Sequence, residues 1–96
     1  MTLEQFLLHV EQNTGPDKDW SNQLLALWYA ERKNWDLAHQ VCQKGTTSVD
    51  AWIHANLHRE EGDLSNARYW YSRAGKPEHK GSITEERHEI ITALLS

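Results

Sequence analysis

"HREEGDLSNARYWYSRAG", residues 58–75, carries three consecutive rings, Tyr69, Trp70 and Tyr71, behind a Gly62-Asp63 pair. Successive helical residues are about 100° apart, so the three rings span about 200° and cannot all face one ligand. The stretch therefore reads as a helix capped by Asp63, placed directly after a helix-ending glycine. Leu64, Ala67, Trp70, Tyr71 and Ala74 face inward and Gly75 closes the helix. Trp70 and Tyr71 are expected in the core and Tyr69 on the surface.

The same rhythm occurs 29 residues earlier, where Lys33-Asn34-Trp35 falls on Gly62-Asp63-Leu64. That shift also sets Ala26 on Ala55, Ala38 on Ala67, Val41 on Trp70 and Cys42 on Tyr71. Packing explains the pattern: an alanine lets two helix backbones approach, and larger side chains one turn later fill the widening gap.

The remaining helices are marked by their ends. Thr2 and Gln5 form a capping box ahead of the stripe Leu3, Phe6, Leu7, Val10, which Gly15 and Pro16 stop. A second helix is expected from Asp17 or Asp19 to about Lys33, with Trp20, Leu24, Leu27 and Trp28 on one face. Leu25, Tyr29 and Ala30 widen that stripe, as for a helix sandwiched between neighbours. A short third helix follows, capped by Asn34 and closed by Gly45, and a fourth opens at Thr47-Ser48-Val49-Asp50 and ends at Gly62. After the loop "KPEHKG" at 76–81, Ser82 and Glu85 cap a last helix whose stripe is Ile83, Arg87, Ile90, Ile91, Leu94 and Leu95. No stretch alternates in the manner of a strand. The expectation is one all-α domain over 1–96: about six helices as stacked antiparallel pairs, with units 19–45 and 48–75 and flanking helices 2–14 and 82–95.

Charge narrows the function. The 10 basic and 14 acidic residues give a net charge of −4. They are mixed along the chain, three basic against six acidic in 1–36, four against four in 37–75 and three against four in 76–96. No basic stripe for phosphates results, which argues against nucleic acid. The longest apolar run, "LLALWYA" at 24–30, has seven residues, far short of the roughly 20 that span a bilayer. With one cysteine, Cys42, and no signal-peptide pattern, a cytoplasmic protein without membrane association is expected.

"EGDLSNARYWYSRA" resembles the second half of a tetratricopeptide (TPR) or Sel1-like repeat, with Ala67, Tyr71 and Ala74 at the small-aromatic-small positions and Pro77 near the unit's end. The first unit departs from the pattern at Lys33, Cys42 and Gly45, and the 29-residue spacing is shorter than the family's. "HANLHREEGDLSNARYWYSRAG" is similar to a group of small, mostly bacterial TPR-like proteins. The resemblance implies a TPR-like superhelix and a concave groove lined by the first helix of each unit. Matched residue by residue, it assigns Trp20, Gln23, Leu27 and Glu31 from one unit, and Val49, Trp52, Asn56, Arg59 and Glu60 from the next. Rings, amides and an arginine suit a peptide or partner helix. The alternative is that the first or last helix covers this groove.

His54 and His58 are the sharpest chemical constellation. The i, i+4 spacing puts both imidazoles on one helix face, the arrangement that zinc-binding helices use, with Glu61 on the same stripe as a candidate third ligand; no Glu follows His54 directly, so the metalloprotease form is absent. The opposing reading makes them packing residues that face the partner helix. Cys42 is expected to be a buried, inert thiol; the alternative is a pairing with His39 or His58. Glu85, Glu86, Arg87 and Glu89 read as a solvated face at a helix start, where acids complement the helix dipole. Two function classes follow. One is a non-catalytic interaction module that binds a peptide or partner helix, or pairs with itself through "IITALLS" at 90–96, and needs no cofactor. The other is a small-ligand or metal-binding site around His54 and His58, an enzymatic one included.

Overall fold

Side chains set the helix starts. In the computed structural model, which describes residues 1–96, Thr2 with Gln5, Thr47 with Asp50 and Ser82 with Glu85 form reciprocal capping boxes. They open α1 (Leu3–Gln12), α4 (Ser48–Glu61) and α6 (Ile83–Leu95). Single caps from Ser21, Asn34 and Asp63 open α2 (Asn22–Glu31), α3 (Trp35–Cys42) and α5 (Leu64–Ala74). The chain is all-α.

α2 starts later than the sequence suggests. Asp17 accepts from the backbone N–H of Asp19 through its carboxylate (2.9 Å) and from that of Trp20 through its carbonyl (3.1 Å). This local turn satisfies the groups that a longer helix would have used, a common preference of aspartate. Trp20 therefore lies ahead of α2 rather than on it.

The internal repeat appears in backbone detail. Asn34 and Asp63 cap their helices with nearly the same dihedrals, φ −104°, ψ 77° and φ −91°, ψ 80°. Just before them, Lys33 (φ 64°) and Gly62 (φ 86°) both occupy the left-handed region. The turn needs that conformation in each hairpin, and only the second hairpin has the residue that adopts it without Cβ strain. Lys33→Gly is expected to stabilise the chain by about 0.5–1 kcal/mol and Gly62→Ala to destabilise it by about 1 kcal/mol, read from urea unfolding.

α2 packs on α3, and α5 on α4, each pair joined by one of these turns. Ala38 and Ala67 lie in the close crossings, 0% and 2% exposed. The main core joins Phe6 and Val10 of α1 to Leu27 and Trp28 of α2, Ile53 and Leu57 of α4 and Ile90 and Ile91 of α6. A smaller core of Ala55, Ala67 and Tyr71 seals α4 to α5. α4 is the hub, in contact with α2, α3, α5 and α6. Ile90 and Ile91 are fully buried, so the apolar tail expected to drive self-association is largely spent inside its own chain. No helix is long and apolar enough to cross a membrane.

One surface expectation is overturned. Glu86 and Arg87 are 0% and 2% exposed, so the charged start of α6 is not a solvated face. Glu85 and Glu89 do face outward. Burial of the other two is tolerable because hydrogen bonds from α4 and α5 meet them, as described next.

Candidate functional site

The groove residues named from the sequence divide into two sets. Trp20, Gln23 and Leu27 meet α1 and the interior. The Trp20 ring lies 5.6 Å from Phe6 and 4.7 Å from His9 of α1. Gln23 donates to both carboxylate oxygens of buried Asp50 at 3.1 Å, and Leu27 is fully buried. Trp52, Asn56 and Arg59 instead converge on α6. The open concave groove is therefore absent, because α1 and α6 fill it. Leu27 and Asn56 are core residues rather than lining. Val49 packs against the main core, and Glu31 and Glu60 turn toward His88 and Arg87 of α6.

The contact with α6 is made by one carboxylate and one guanidinium. Glu86 Oε1 accepts from Asn56 Nδ2 (2.9 Å) and Arg59 Nη1 (2.8 Å); its Oε2 accepts from Trp52 Nε1 (3.1 Å) and the Tyr71 hydroxyl (2.5 Å). Burial alone would push this carboxyl up, but the bonds from Asn56, Tyr71, Arg59 and Trp52 hold it below the usual carboxylate range. Arg87 donates from Nε to Asn56 Oδ1 (2.9 Å), from Nη1 to the Ala30 carbonyl (3.3 Å) and from Nη2 to Glu60. Asn56 thus reads the Glu–Arg pair with both ends of its amide. Arg59 extends the lock by donating to the Gly81 carbonyl (2.6 Å), just ahead of α6. Chemically, this is a surface for a helix that presents adjacent acidic and basic side chains.

On another side of α4 the sequence reading missed a partner. His39 of α3 joins His54 and His58, with one ligand atom of each imidazole within 4.8 Å of the others. The ring centroids of His39 lie 5.0 Å from His54 and 5.4 Å from His58. His54 and His58 stack on each other at 5.8 Å, and Trp35 and Trp70 flank the trio, stacked on His39 (4.8 Å) and His54 (4.0 Å). Burial, reinforced by the neighbouring histidines, lowers His39 and takes His54 down to about 4, so both are uncharged at neutral pH. Glu61 accepts no role in the trio itself; it meets His58 Nδ1 at 2.6 Å. A helix of His39 on the unit preceding His54 and His58 was visible in the sequence, but no spacing rule links residues on two different helices.

Cys42 is fully buried beside this cluster. Its Sγ donates to the Asp50 carbonyl (3.1 Å) and lies 3.5 Å from His54 Nδ1, so its histidine neighbour is neither His39 nor His58. Burial, with Asp50 adding to it, pushes the thiol up to about 12, which leaves it protonated and unreactive. Comparison with protein-family models, with curated proteins and with solved structures found no match for this chain.

Proposed function

We propose that this chain is a non-catalytic protein-interaction module, TPR-like in organisation, that recognises an amphipathic helix along α2 and α4. The supporting observation is the coordination of Glu86. Four donors from α4 and α5 converge on one carboxylate of α6, and Asn56 and Glu60 engage the adjacent Arg87. Packing alone would need only the apolar face of α6. Convergent polar groups supply register and selectivity. In this reading α6 is the resident occupant. A partner helix with a Glu-Arg pair followed three residues on by two branched apolar residues, or α6 of a second copy, competes for the same surface.

The test is binding in trans. A labelled peptide of residues 81–96 is added to full-length chain carrying Arg87→Ala, which loosens its own α6. Saturable, one-to-one binding by fluorescence anisotropy is expected. The same peptide with Glu86→Gln should bind at least about 30-fold more weakly, the scale of a buried charge contact removed from an interface. Absence of binding, or equal binding by both peptides, removes this reading.

A further inference from the structure

Three imidazoles from two facing helices, α3 and α4, meet in one cluster. His54 and His58 are only 4% and 6% exposed, and His39 is half-buried at the mouth of the cluster. His58 Nδ1 is held by the Glu61 carboxylate at 2.6 Å and His54 Nδ1 faces Cys42 Sγ at 3.5 Å. The Nε2 atoms of both, and both ring nitrogens of His39, take no hydrogen bond from the protein. One ring nitrogen of each of the three imidazoles lies within 4.8 Å of the other two.

We infer that His39, His54 and His58 form a site for a single divalent transition metal of the zinc class, with water in the fourth position. Zinc binds imidazole nitrogen at about 2.0–2.1 Å in tetrahedral geometry, which sets nitrogens about 3.4 Å apart. The three nitrogens lie within 4.8 Å of one another, so closing on an ion requires them to approach by about 1.4 Å at most. Three nitrogen donors, two supplied by one helix at i and i+4, match zinc, cobalt, nickel and copper and disfavour magnesium or calcium, which prefer oxygen. Glu61 supplies the carboxylate behind His58 that commonly orients a metal-bound imidazole. Asp63 adds a second carboxylate close to His58 and Glu61, so anionic groups lie next to the proposed dication. The ion would join α3 to α4 and so tie the two hairpins together. This site does not touch the α6 contact, and its test is independent of peptide binding.

Full-length chain, stripped with chelator, is titrated with zinc chloride by calorimetry and with cobalt chloride by visible absorption. The expected result is one zinc per chain with micromolar or tighter affinity, and the strong visible bands of four-coordinate cobalt. The melting temperature should rise with the logarithm of zinc concentration. His39→Gln removes a half-exposed ligand that makes no hydrogen bond through its ring; losing its stack on Trp35 should lower the melting temperature in chelator by only a few degrees, and zinc affinity should fall at least about tenfold. Glu61→Gln keeps an amide oxygen that can accept from His58, so it should weaken zinc by about 10–100-fold while lowering the chelator melt by only a few degrees. X-ray absorption of the zinc-loaded parent provides a readout that needs no variant, and three imidazoles per zinc are expected. Failure to bind zinc at tens of micromolar overturns the inference. So does binding that His39→Gln leaves intact, which would place the ion elsewhere, for instance at His79 and Glu89.

Discussion

Glu86→Gln is expected to destabilise the chain by about 3–5 kcal/mol, the cost of breaking a buried ion pair from one side. The substitution leaves the Arg59 guanidinium without its anion and places an amide N–H₂ among groups that are themselves donors: Asn56, Trp52 and Tyr71. A chain of this length has a total stability of about 5–15 kcal/mol, so the variant should melt well over 10 °C lower and lose α6 protection in hydrogen exchange. The parent should also carry a pH signature. Because the folded Glu86 carboxyl titrates below its ordinary value, the folded state binds fewer protons than the unfolded state in the window between the two. Its contribution is therefore complete above the ordinary glutamate value of about 4.3 and is lost as pH falls through the folded value. Glu86→Gln should flatten the acid limb of the stability curve. A loss under about 1 kcal/mol, or an unchanged acid limb, would mean that the four donors do not depend on the charge.

The helical framework was legible because it is local. Capping residues at Thr2, Asn34, Thr47, Asp63 and Ser82 and glycines at 62 and 75 act within one turn of themselves, and each marks a boundary that the structure repeats. The buried alanines at 38 and 67 follow from a periodicity that can be counted. Where local rules compete, the reading slipped: Asp17 favours its own turn over the helix expected to begin there. Long-range polar contacts were less accessible. Glu86 and Arg87 look like solvent-facing charges because nothing within a helical turn of them pairs with them; most of their partners lie about 30 residues away on α4, with Tyr71 on α5 and the Ala30 carbonyl on α2. One clue existed, since Arg87 sits on the same stripe as Ile83, Ile90 and Ile91. A charge on an apolar stripe marks either an error or a partner on the facing helix. The same limit concealed His39. The i, i+4 pair on α4 is a one-helix pattern, whereas its third member belongs to α3 and is brought there by the crossing of the two hairpins.

Trp28→Ala should produce the other large effect, about 3–5 kcal/mol, through loss of a buried ring and the cavity it leaves. Trp28 is 2% exposed in the main core, and its indole N–H donates to His9 Nδ1 at 3.0 Å. Above it, the Arg32 guanidinium lies 4.9 Å from the ring centre and donates to the Val10 carbonyl (2.8 Å) and to that of Asn13. One side chain thus carries three kinds of contact between α2 and α1: apolar burial, a hydrogen bond and the platform for an arginine that satisfies carbonyls at the end of α1. The alanine variant should therefore lose α1 first, with hydrogen-exchange protection over residues 3–12 falling further than over α4 or α5. Trp28→Phe keeps most of the ring and should cost about 1–2 kcal/mol, mainly the bond to His9 and part of the stacking surface. The two variants separate the effects: if phenylalanine costs as much as alanine, the polar link to His9 rather than ring volume holds α1 in place, and His9→Phe should then restore stability lost in Trp28→Phe. If alanine costs less than about 2 kcal/mol, α1 is not docked through this tryptophan, and the cover it gives to Trp20 and Leu27 must come from Phe6 and Val10 alone.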